Sequence, residues 1–472
     1  MTVAIVGAGI TGLTAAYYLE RSALQQGWDL SGWAIDSERR PGGKIRTESV
    51  DGFIVEGGPD SFLAQKPWAR QLVEDLGMEK DLITPEAHGV WVLRRGRLHP
   101  IPDGLLGPAP RQPRSLWNAS FLSRRAKVRA SLEALVPARL TNEDESINSF
   151  LRRRLGQEWT RILGEPLMAG IHAGNGEHLS MQALYPTLLG WEQQHGSLTR
   201  GLSEAKAAAR SGPPSPMFLA LREGMEALPQ AIIKRLRLLQ PILGVSVDQL
   251  ELGQDVVNGK PPYRIRLGNG QFIEAQYVIL ASPAYVSAAL LHTMAPKASA
   301  TLASLPYAST ASISLAYPVE AVSNPLEGTG FIVPRNESFP LTACTWVSSK
   351  WPARSKQGAV LLRGFIGWTG DQSFLDCDDD ALVEGMRKGL EPLLGIKGAP
   401  QRAWVHRWPR ALPQYNLGHL DWLRSLDMAL APFPNLILAG AAYRGLGVPD
   451  CIRQGKEAAA RVTQRVTEAG MP

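Results

Sequence analysis

The sequence is poor in cysteine. Its 472 residues hold three, Cys344, Cys377 and Cys451, which are widely separated and odd in number. Such a set excludes a disulfide framework, and it lacks the paired spacing of a zinc site. We therefore predict no metal site and a reducing, cytoplasmic location.

Long hydrophobic runs are also lacking. The longest apolar stretch near the C-terminus, 428–443, contains Pro432, Pro434 and Gly440, and it falls short of the ~20 residues that cross a bilayer. The apolar N-terminus has no Lys or Arg before it and is interrupted by glycines, unlike a signal peptide. We expect a mature N-terminus and no membrane span.

A strong charge of one sign is lacking as well. The 50 Lys and Arg residues exceed the 44 Asp and Glu residues by six, which is small beside the basic stripe of a nucleic-acid-binding protein. The excess is concentrated at 111–161, where eleven basic residues stand against five acidic ones. We predict no nucleic-acid partner. The basic segment leaves two interpretations open, a solvated helix face or peripheral contact with the inner face of a membrane.

The start of the chain predicts a βαβ unit of a parallel sheet. Thr2–Val6 and Gly32–Ile35 are short apolar runs typical of buried strands, and Gly12–Glu20 has apolar residues at helical spacing. The turn after the first strand is Gly7-Ala8-Gly9-Ile10-Thr11-Gly12. Its glycines permit a tight turn, let backbone amides approach a pyrophosphate and allow close helix packing. Asp36 follows the second strand, where a carboxylate can bind ribose hydroxyls, so we predict a dinucleotide site.

The rest of the chain predicts two insertions and a second strand–turn–helix segment. We expect helices at 122–135, 146–163 and 219–239, a boundary at 211–216, a β-meander over 242–279 with turns at 259–261 and 268–270, antiparallel strands at 311–317 and 359–366, a strand at 436–440 and a helix from 449 onward.

Three further glycine-rich segments bear on the cofactor. Arg40-Pro41-Gly42-Gly43-Lys44 and Glu56-Gly57-Gly58-Pro59-Asp60-Ser61 can let backbone lie against a long cofactor. Gly440-Ala441-Ala442-Tyr443-Arg444-Gly445-Leu446-Gly447-Val448 precedes a helix whose N-terminus can stabilise negative charge. Together these segments resemble the flavin amine oxidase superfamily, and within it the protoporphyrinogen and coproporphyrinogen oxidases of haem synthesis. The resemblance continues at 98–102 and 170–174, so it extends along the whole chain.

The resemblance implies that the cofactor is FAD. The implied FAD contacts are Gly7, Ala8, Gly9, Ile10, Thr11, Gly12, Asp36, Ser37, Arg40, Gly43, Lys44, Gly58, Pro59, Asp60, Ser61, Ile242, Ala441, Leu446, Gly447 and Val448.

The resemblance also implies a porphyrinogen substrate, with Gly170 and Ala173 in its pocket and Lys66 as a candidate carboxylate contact. Leu106 stands where the mitochondrial and plastid type carries a propionate-binding arginine. The segment 60–63 resembles the Gram-positive branch, which oxidises coproporphyrinogen III; protoporphyrinogen IX is the close second. Six electrons would leave in three hydride transfers to flavin N5, with O2 reduced to H2O2. No residue stands out as a catalytic base, and His172 is interpreted as a pocket or packing residue.

These observations predict an α/β protein with a discontinuous, Rossmann-like FAD-binding domain at 1–85, 212–290 and 402–472. A helical insertion, 86–211, would carry the basic segment, with solvent and a membrane as its two open interpretations, and an antiparallel-sheet domain, 291–401, would bind substrate. Two other functions stay open. A flavin amine oxidase or carotenoid desaturase shares both terminal motifs, and a non-catalytic escort similar to the Rab GDP-dissociation inhibitors shares the fold.

Overall fold

We describe the fold from a computed structural model of the chain. The structure describes residues 1–105, 110, 113–139, 141, 143–168, 170–209, 216–253 and 263–468. Leu106 and the turn expected at 259–261 lie outside these residues.

Strands occur from one end of the described chain to the other. In chain order they are β1 (Thr2–Val6), β2 (Ser31–Asp36), β3 (Thr47–Val50), β4 (Phe53–Glu56), β5 (Phe62–Leu63), β6 (Leu82–Ile83), β7 (Trp91–Arg94), β8 (Arg97–Pro100), β9 (Phe218–Leu221), β10 (Leu239–Leu243), β11 (Val247–Leu252), β12 (Tyr263–Leu267), β13 (Phe272–Ala275), β14 (Tyr277–Leu280), β15 (Tyr307–Pro318), β16 (Gly330–Ile332), β17 (Ala343–Trp346), β18 (Ala359–Ile366), β19 (Arg402–Pro413) and β20 (Leu436–Leu438).

The helices occur along the whole described chain, with the densest group between β8 and β9. They are α1 (Ile10–Gln26), α2 (Pro67–Asp75), α3 (Pro113–Trp117), α4 (Arg124–Ser131), α5 (Ile147–Leu155), α6 (Gln157–Trp159), α7 (Glu165–Met168), α8 (Met181–Leu184), α9 (Pro186–His195), α10 (Leu198–Ala209), α11 (Ala227–Ile233), α12 (Ala284–Leu291), α13 (Pro296–Ala303), α14 (Val347–Lys350), α15 (Asp379–Leu394), α16 (His419–Leu430) and α17 (Val448–Glu468).

A five-stranded parallel sheet, ordered β10-β2-β1-β14-β20, contains strands from the start, the middle and the end of the chain. Its central strands are apolar and buried, because helices cover both faces of a parallel sheet. Helices α1 and α17 pack closely, since a Cβ at Gly455 would collide with the carbonyl oxygen of Thr11. The predicted discontinuous Rossmann-like fold is confirmed.

A seven-stranded, mainly antiparallel sheet has the order β19-β15-β18-β17-β16-β7-β8. One face packs on α15 through Ile313, Leu362 and Met386. Residues of the other face, such as Arg363, bond to the loop after β4. Strands β7, β8 and β19 lie outside the range 291–401 that was expected to form this sheet.

The helical insertion has its own core, formed by the apolar faces of α4 to α10. Several of its arginines point inward and are neutralised there. Arg154 is fully buried and pairs with Glu133, and Arg153 pairs with Glu145 (2.8 Å) and Glu192 (2.5 Å). The exposed positive charge of 111–161 is therefore smaller than its sequence count.

Two predicted elements are wrong. The helix expected at 219–239 is a strand, a shorter helix and a second strand, β9, α11 and β10. The apolar run of β9 is so short that the spacing of its apolar residues fits a strand as well as a helix. It forms a strand because it pairs with β5 and β6. The meander over 242–279 is confined to β11, β12 and β13, because β10 and β14 join the parallel sheet instead.

Candidate FAD and substrate site

The N-terminal glycine turn, Gly7–Gly12, joins β1 to α1 at the carboxyl edge of the parallel sheet. The amide of Gly7 donates to the carbonyl of Ile35 (2.7 Å), and Gly9 precedes the first turn of α1. A Cβ at Gly12 would collide with the carbonyl oxygen of Gly7. Glycine is therefore required for helix and turn to meet, and the α1 N-terminus faces outward for an anionic group.

Asp36 ends β2 beside this turn. Its carboxylate accepts from the amides of Ala8 (2.7 Å) and Glu38 (2.9 Å). Burial raises the pKa of Asp36, while these hydrogen bonds act against that rise. Two backbone donors leave acceptor positions on the carboxylate for ribose hydroxyls. Ser37 follows it directly, and Ile242 pairs with Ile35 in the neighbouring strand, so both candidate residues lie at the same edge.

The glycine-rich segment 40–44 lies against the N-terminal glycine turn, Gly7–Gly12. The amide of Gly42 donates to the carbonyl of Ala8 (2.8 Å), and a Cβ at Gly9 would meet no atom nearer than the Cα of Gly43, at 4.0 Å. Arg40 holds this segment by donating to the carbonyls of Gly43 (2.7 Å) and Ile45 (2.9 Å). The two glycine segments thus form a bare backbone surface for a long molecule.

Lys44 places a partly buried ammonium group close to the segment 56–61. It donates to the carbonyl of Ala411, and burial lowers its pKa. No carboxylate forms an ion pair with it within the described residues. The backbone of Gly58 touches that of Lys44 so closely that any side chain at Gly58 would collide. Lys44 can therefore supply positive charge to a group bound beside Gly58 and Pro59.

Asp60 connects this loop to the seven-stranded sheet. Its carboxylate pairs with Lys350 (2.8 Å) and accepts from Trp351 (3.2 Å). Although burial opposes ionisation, Lys350, Arg354 and Arg363 hold the pKa of Asp60 well below its usual range. Ser61 donates to Asp60 (2.7 Å). The side chain of Asp60 is thus occupied by protein contacts, and the loop backbone is what faces the glycine segments.

The C-terminal glycine loop, Gly440–Val448, reaches the same place from the other end of the chain. The Tyr415 hydroxyl donates to the carbonyl of Ala441 (2.8 Å) and accepts from the amide of Gly445 (2.9 Å). Leu446 and Gly447 then lead into Val448, the first residue of α17. Cys451 in the first turn of α17 is hydrogen-bonded to Thr11 in the first turn of α1, so the two helix N-termini lie next to each other.

A single ion pair marks where the predicted substrate residues meet the cofactor segments. Lys66, before α2, pairs with Asp450 in the first turn of α17 (2.5 Å). The charge of Lys66 and burial together lower the pKa of His172 to about 4, burial being the larger cause. The charge of Lys66 therefore acts on His172, in the 170–174 loop of the helical insertion.

The 170–174 loop is held from the seven-stranded sheet. Gly170 begins a 3-10 turn, and Ala173 adopts a left-handed φ of 47°. The carbonyl of Ala173 accepts from the Thr369 amide (2.9 Å), and Gln414 donates to the carbonyl of His172 (2.9 Å). This fixed backbone exposes Gly170 beside the cleft and buries Ala173.

Sequence reasoning missed two residues that position this site. Tyr415 bridges both ends of the C-terminal loop. Arg335 pairs with Glu165 (3.1 Å), donates to the carbonyl of Gly174 and lies 3.6 Å above the ring of Trp368. Neither residue stands in a motif, and both act through segments distant in sequence, so no local pattern identifies them.

The residues fit FAD. Glycine-lined backbone at 7–12 and 42–43 accommodates an extended dinucleotide, Asp36 retains capacity for ribose, and Lys44 is a partly buried cation without an anionic partner among the described residues. The N-terminus of α17 lies near Lys44, whose charge interacts with Cys451 in the first turn of that helix, and a helix N-terminus favours the negative charge of a bound flavin. Within the described chain, no helix has the length and apolar character of a membrane span.

Comparisons with known proteins agree with this geometry. The family model of flavin containing amine oxidoreductases matches residues 10–463. Coproporphyrinogen III oxidase of Bacillus subtilis (strain 168) is 35% identical over 465 residues, 97% of this chain and 96% of that protein. Coproporphyrinogen III oxidase of Staphylococcus aureus is 31% identical over 469 residues, 98% of each.

A solved structure is also similar. A protein from Exiguobacterium sp. 255-15, described provisionally as a protoporphyrinogen oxidase, gives a TM-score of 0.85 at 31% identity and covers 98% of this chain and 99% of its own. The predicted resemblance and the predicted cofactor, FAD, are both confirmed by these matches. The chain belongs to the flavin containing amine oxidoreductase family.

Proposed function

We propose that this protein oxidises a porphyrinogen to a porphyrin in haem biosynthesis, with coproporphyrinogen III preferred over protoporphyrinogen IX. The observation that carries the proposal is the ion pair of the partly exposed Lys66 with Asp450, in the first turn of α17 directly after the C-terminal glycine loop. Near full-length similarity to proteins named coproporphyrinogen III oxidase supports the choice of substrate.

The chain's own groups have separate tasks in this reaction. When bound, FAD would supply the acceptor for two electrons in each of three cycles, with O2 as the final acceptor and H2O2 as its product. Gly7–Gly12, Asp36 and Lys44 bind the cofactor, and Tyr415 fixes the loop beside it. The 170–174 loop orients the macrocycle and excludes water, and orientation of this kind lowers a barrier by several kcal/mol.

Lys66 is the proposed contact for a substrate carboxylate. Its ammonium is partly exposed and has three donors, of which the Asp450 pair uses one. His172 stays neutral over the working pH range because its pKa is about 4. It therefore adds no charge to the pocket. Its ring nitrogen lies 3.4 Å from the Tyr185 hydroxyl, which supports a packing role.

We propose the division of the chain predicted above, with the FAD-binding domain built on the parallel sheet. Strands β7, β8 and β19 extend the substrate-binding sheet beyond 291–401. Peripheral membrane contact is proposed for the α3–α4 region of the helical insertion. Trp117 and Val128 are exposed apolar residues there, and Arg124, Arg125 and Lys127 add positive charge beside them.

The test is oxidation of chemically reduced porphyrinogens. Coproporphyrinogen III and protoporphyrinogen IX are mixed separately with purified protein under air, and porphyrin fluorescence is followed after the rate without enzyme is subtracted. We expect the larger kcat/KM for coproporphyrinogen III. Equal values for the two substrates would contradict the preference, and no rate above background with either would contradict the function.

The alternative functions predict different substrates, or a different colour, for the same purified protein. Turnover of a polyamine or of phytoene, without turnover of a porphyrinogen, would favour an amine oxidase or a desaturase. A colourless protein that stays colourless after FAD is added would favour a non-catalytic escort. The proposed oxidase should be yellow as isolated and lose its colour when a porphyrinogen is added without air.

A further inference from the structure

A cavity of about 200 Å³ lies at the open edge of the parallel sheet, beyond β20. Its walls come from α16, the segment 433–438 and the second half of α17. Most of the lining residues are apolar, among them Leu423, Leu426, Leu430, Phe433 and Leu436, while polar atoms form about half of the accessible lining surface. Arg461 and Arg465, its lining residues on α17, lie far along that helix from its N-terminal end at the FAD-binding segments, while Tyr443 and Arg444 of the C-terminal glycine loop form part of one wall.

Three arginines line the cavity together with one carboxylate. Arg444 pairs with Asp427 (2.8 Å), which neutralises both. Arg461 and Arg465 lie one turn apart on α17, so their side chains share one face of the helix. Among the residues that the structure describes, neither Arg461 nor Arg465 forms an ion pair. The cavity therefore combines a wall of apolar side chains with two guanidinium groups.

This combination defines the chemistry of a ligand. An apolar chain gains free energy by leaving water for the leucine-lined interior, and a guanidinium group binds a carboxylate through two parallel hydrogen bonds. A cavity of this volume is too small for a tetrapyrrole but sufficient for one short alkyl chain. We propose that it binds a medium-chain fatty acid, with the alkyl chain inside and the carboxylate on Arg461 and Arg465.

The proposal goes beyond the proposed function and does not depend on it. The ligand would occupy a site between α16 and α17, where it would hold the two helices together. Binding of this kind raises the unfolding temperature, because the ligand stabilises the folded chain. An alkyl chain with an anionic head group could belong to a free fatty acid or to an anionic lipid in a bilayer. We propose the free fatty acid.

The test is isothermal titration of the FAD-loaded protein with decanoate, at concentrations well below those at which it forms micelles. Decanol tests the need for the carboxylate, and propionate tests the need for the chain. The variant is Arg461→Gln/Arg465→Gln. Its matched control is Arg424→Gln, which removes an exposed arginine on α16 that pairs with Asp421 and does not line the cavity.

We expect saturable binding of decanoate at one site, with decanol and propionate at least about tenfold weaker, since each lacks one of the two contributions. The double variant should bind decanoate about tenfold more weakly, while Arg424→Gln matches the parent. Unchanged unfolding temperature and flavin spectrum without ligand will show that the variants are folded.

Equal affinity for decanol and decanoate would overturn the proposal, because it would indicate simple apolar partitioning. Equal affinity of the double variant and the parent would do the same. Sedimentation with phosphatidylglycerol vesicles distinguishes binding of a free fatty acid from binding of an anionic lipid in a bilayer. Loss of vesicle binding in the double variant, with no saturable binding of free decanoate to the parent, would assign the arginines to a bilayer instead.

Discussion

The ammonium of Lys66 lies 2.5 Å from the carboxylate of Asp450, so residues from opposite ends of the chain form one ion pair at the mouth of the candidate site. Asp450 is buried, whereas Lys66 is partly exposed and can reach a ligand. The ion pair can therefore have two roles: it holds α17 against the loop before α2, and its lysine can bind a substrate carboxylate.

Substitution of this pair separates the two roles. Lys66→Met leaves the buried carboxylate of Asp450 without its cation, and we expect it to lower the free energy of unfolding by about 1 kcal/mol and to raise KM about tenfold. Lys66→Met/Asp450→Asn should regain the stability, because no unpaired carboxylate remains, but not the KM. Thermal unfolding and steady-state kinetics provide the two measurements. If the double variant also regains the parent KM, Lys66 does not bind substrate.

Replacement of Gly12 by alanine tests the cofactor site. The added Cβ would collide with the carbonyl oxygen of Gly7, so α1 must move away from the turn. We expect Gly12→Ala to retain at most about a tenth of the parent's FAD, measured from flavin absorbance after desalting. Gly190→Ala is the matched control, since Gly190 is also helical and a Cβ there meets no atom within 4 Å. A parent-like FAD content in Gly12→Ala would contradict the assignment.

Much of the FAD site follows from local sequence, because its parts are short motifs with fixed conformations. The β1–turn–α1 unit and Asp36 are contiguous, so spacing alone places them together. The sequence predicts Leu239 as the end of a helix and Ile242 as the start of the meander, whereas both lie in β10, whose partner β2 is far away in sequence. Tyr415 and Arg335 could not be predicted for the same reason. Their roles depend on contacts that only the folded chain brings about.

Arg335 should affect substrate binding more than the chemical step. It holds the 170–174 loop through Glu165, Gly174 and Trp368 without lining the FAD segments. We expect Arg335→Met to raise KM about tenfold and to change kcat less than about threefold, because the loop loses its orientation. Arg335→Lys should recover little, since lysine cannot make the same forked contacts.

The control for this prediction is Arg97→Met, an exposed arginine in the same sheet. It should leave both kinetic constants at the parent values. A large fall in kcat at unchanged KM in Arg335→Met would contradict a positioning role and place Arg335 in the reaction itself.

The buried imidazole of His419 predicts a pH dependence of stability. It stacks on Tyr415, with ring centroids 3.8 Å apart, and its Nε2 donates to the carbonyl of Tyr443 (2.9 Å). Burial lowers its pKa to about 4, whereas the unfolded chain titrates at the ordinary value of 6.5. The unfolded state therefore binds the extra proton first as the pH falls. The contribution of His419 to the free energy of unfolding is full above pH 6.5 and is lost progressively down to about pH 4.

The effect is measured by denaturant unfolding across this range. The shift corresponds to about 3 kcal/mol for His419, and His172 changes stability in the same direction. We expect His419→Gln to flatten the decline between pH 6.5 and 4, since the variant has no imidazole to protonate. His88→Gln, which removes an exposed histidine, should keep the parent profile. Identical profiles for parent and His419→Gln would be inconsistent with a neutral buried imidazole.

Peripheral membrane contact should depend on the exposed charges of α4. Arg124 and Arg125 lie in its first turn and are exposed, beside the exposed apolar residues Trp117 and Val128. Each basic residue near an anionic surface contributes about 1 kcal/mol, so Arg124→Gln/Arg125→Gln should weaken binding to phosphatidylglycerol vesicles about 30-fold. Added salt should weaken the parent in the same way, because it screens the attraction.

Sedimentation with vesicles measures this binding, and a second arginine pair distinguishes a local site from general charge. Arg264 and Arg266 are exposed on β12, in the three-stranded meander. Arg264→Gln/Arg266→Gln removes the same net charge and should bind vesicles as the parent does, since these residues lie on another part of the surface. Equal weakening in both double variants would mean that overall charge, and not the helical insertion, governs attraction to the membrane.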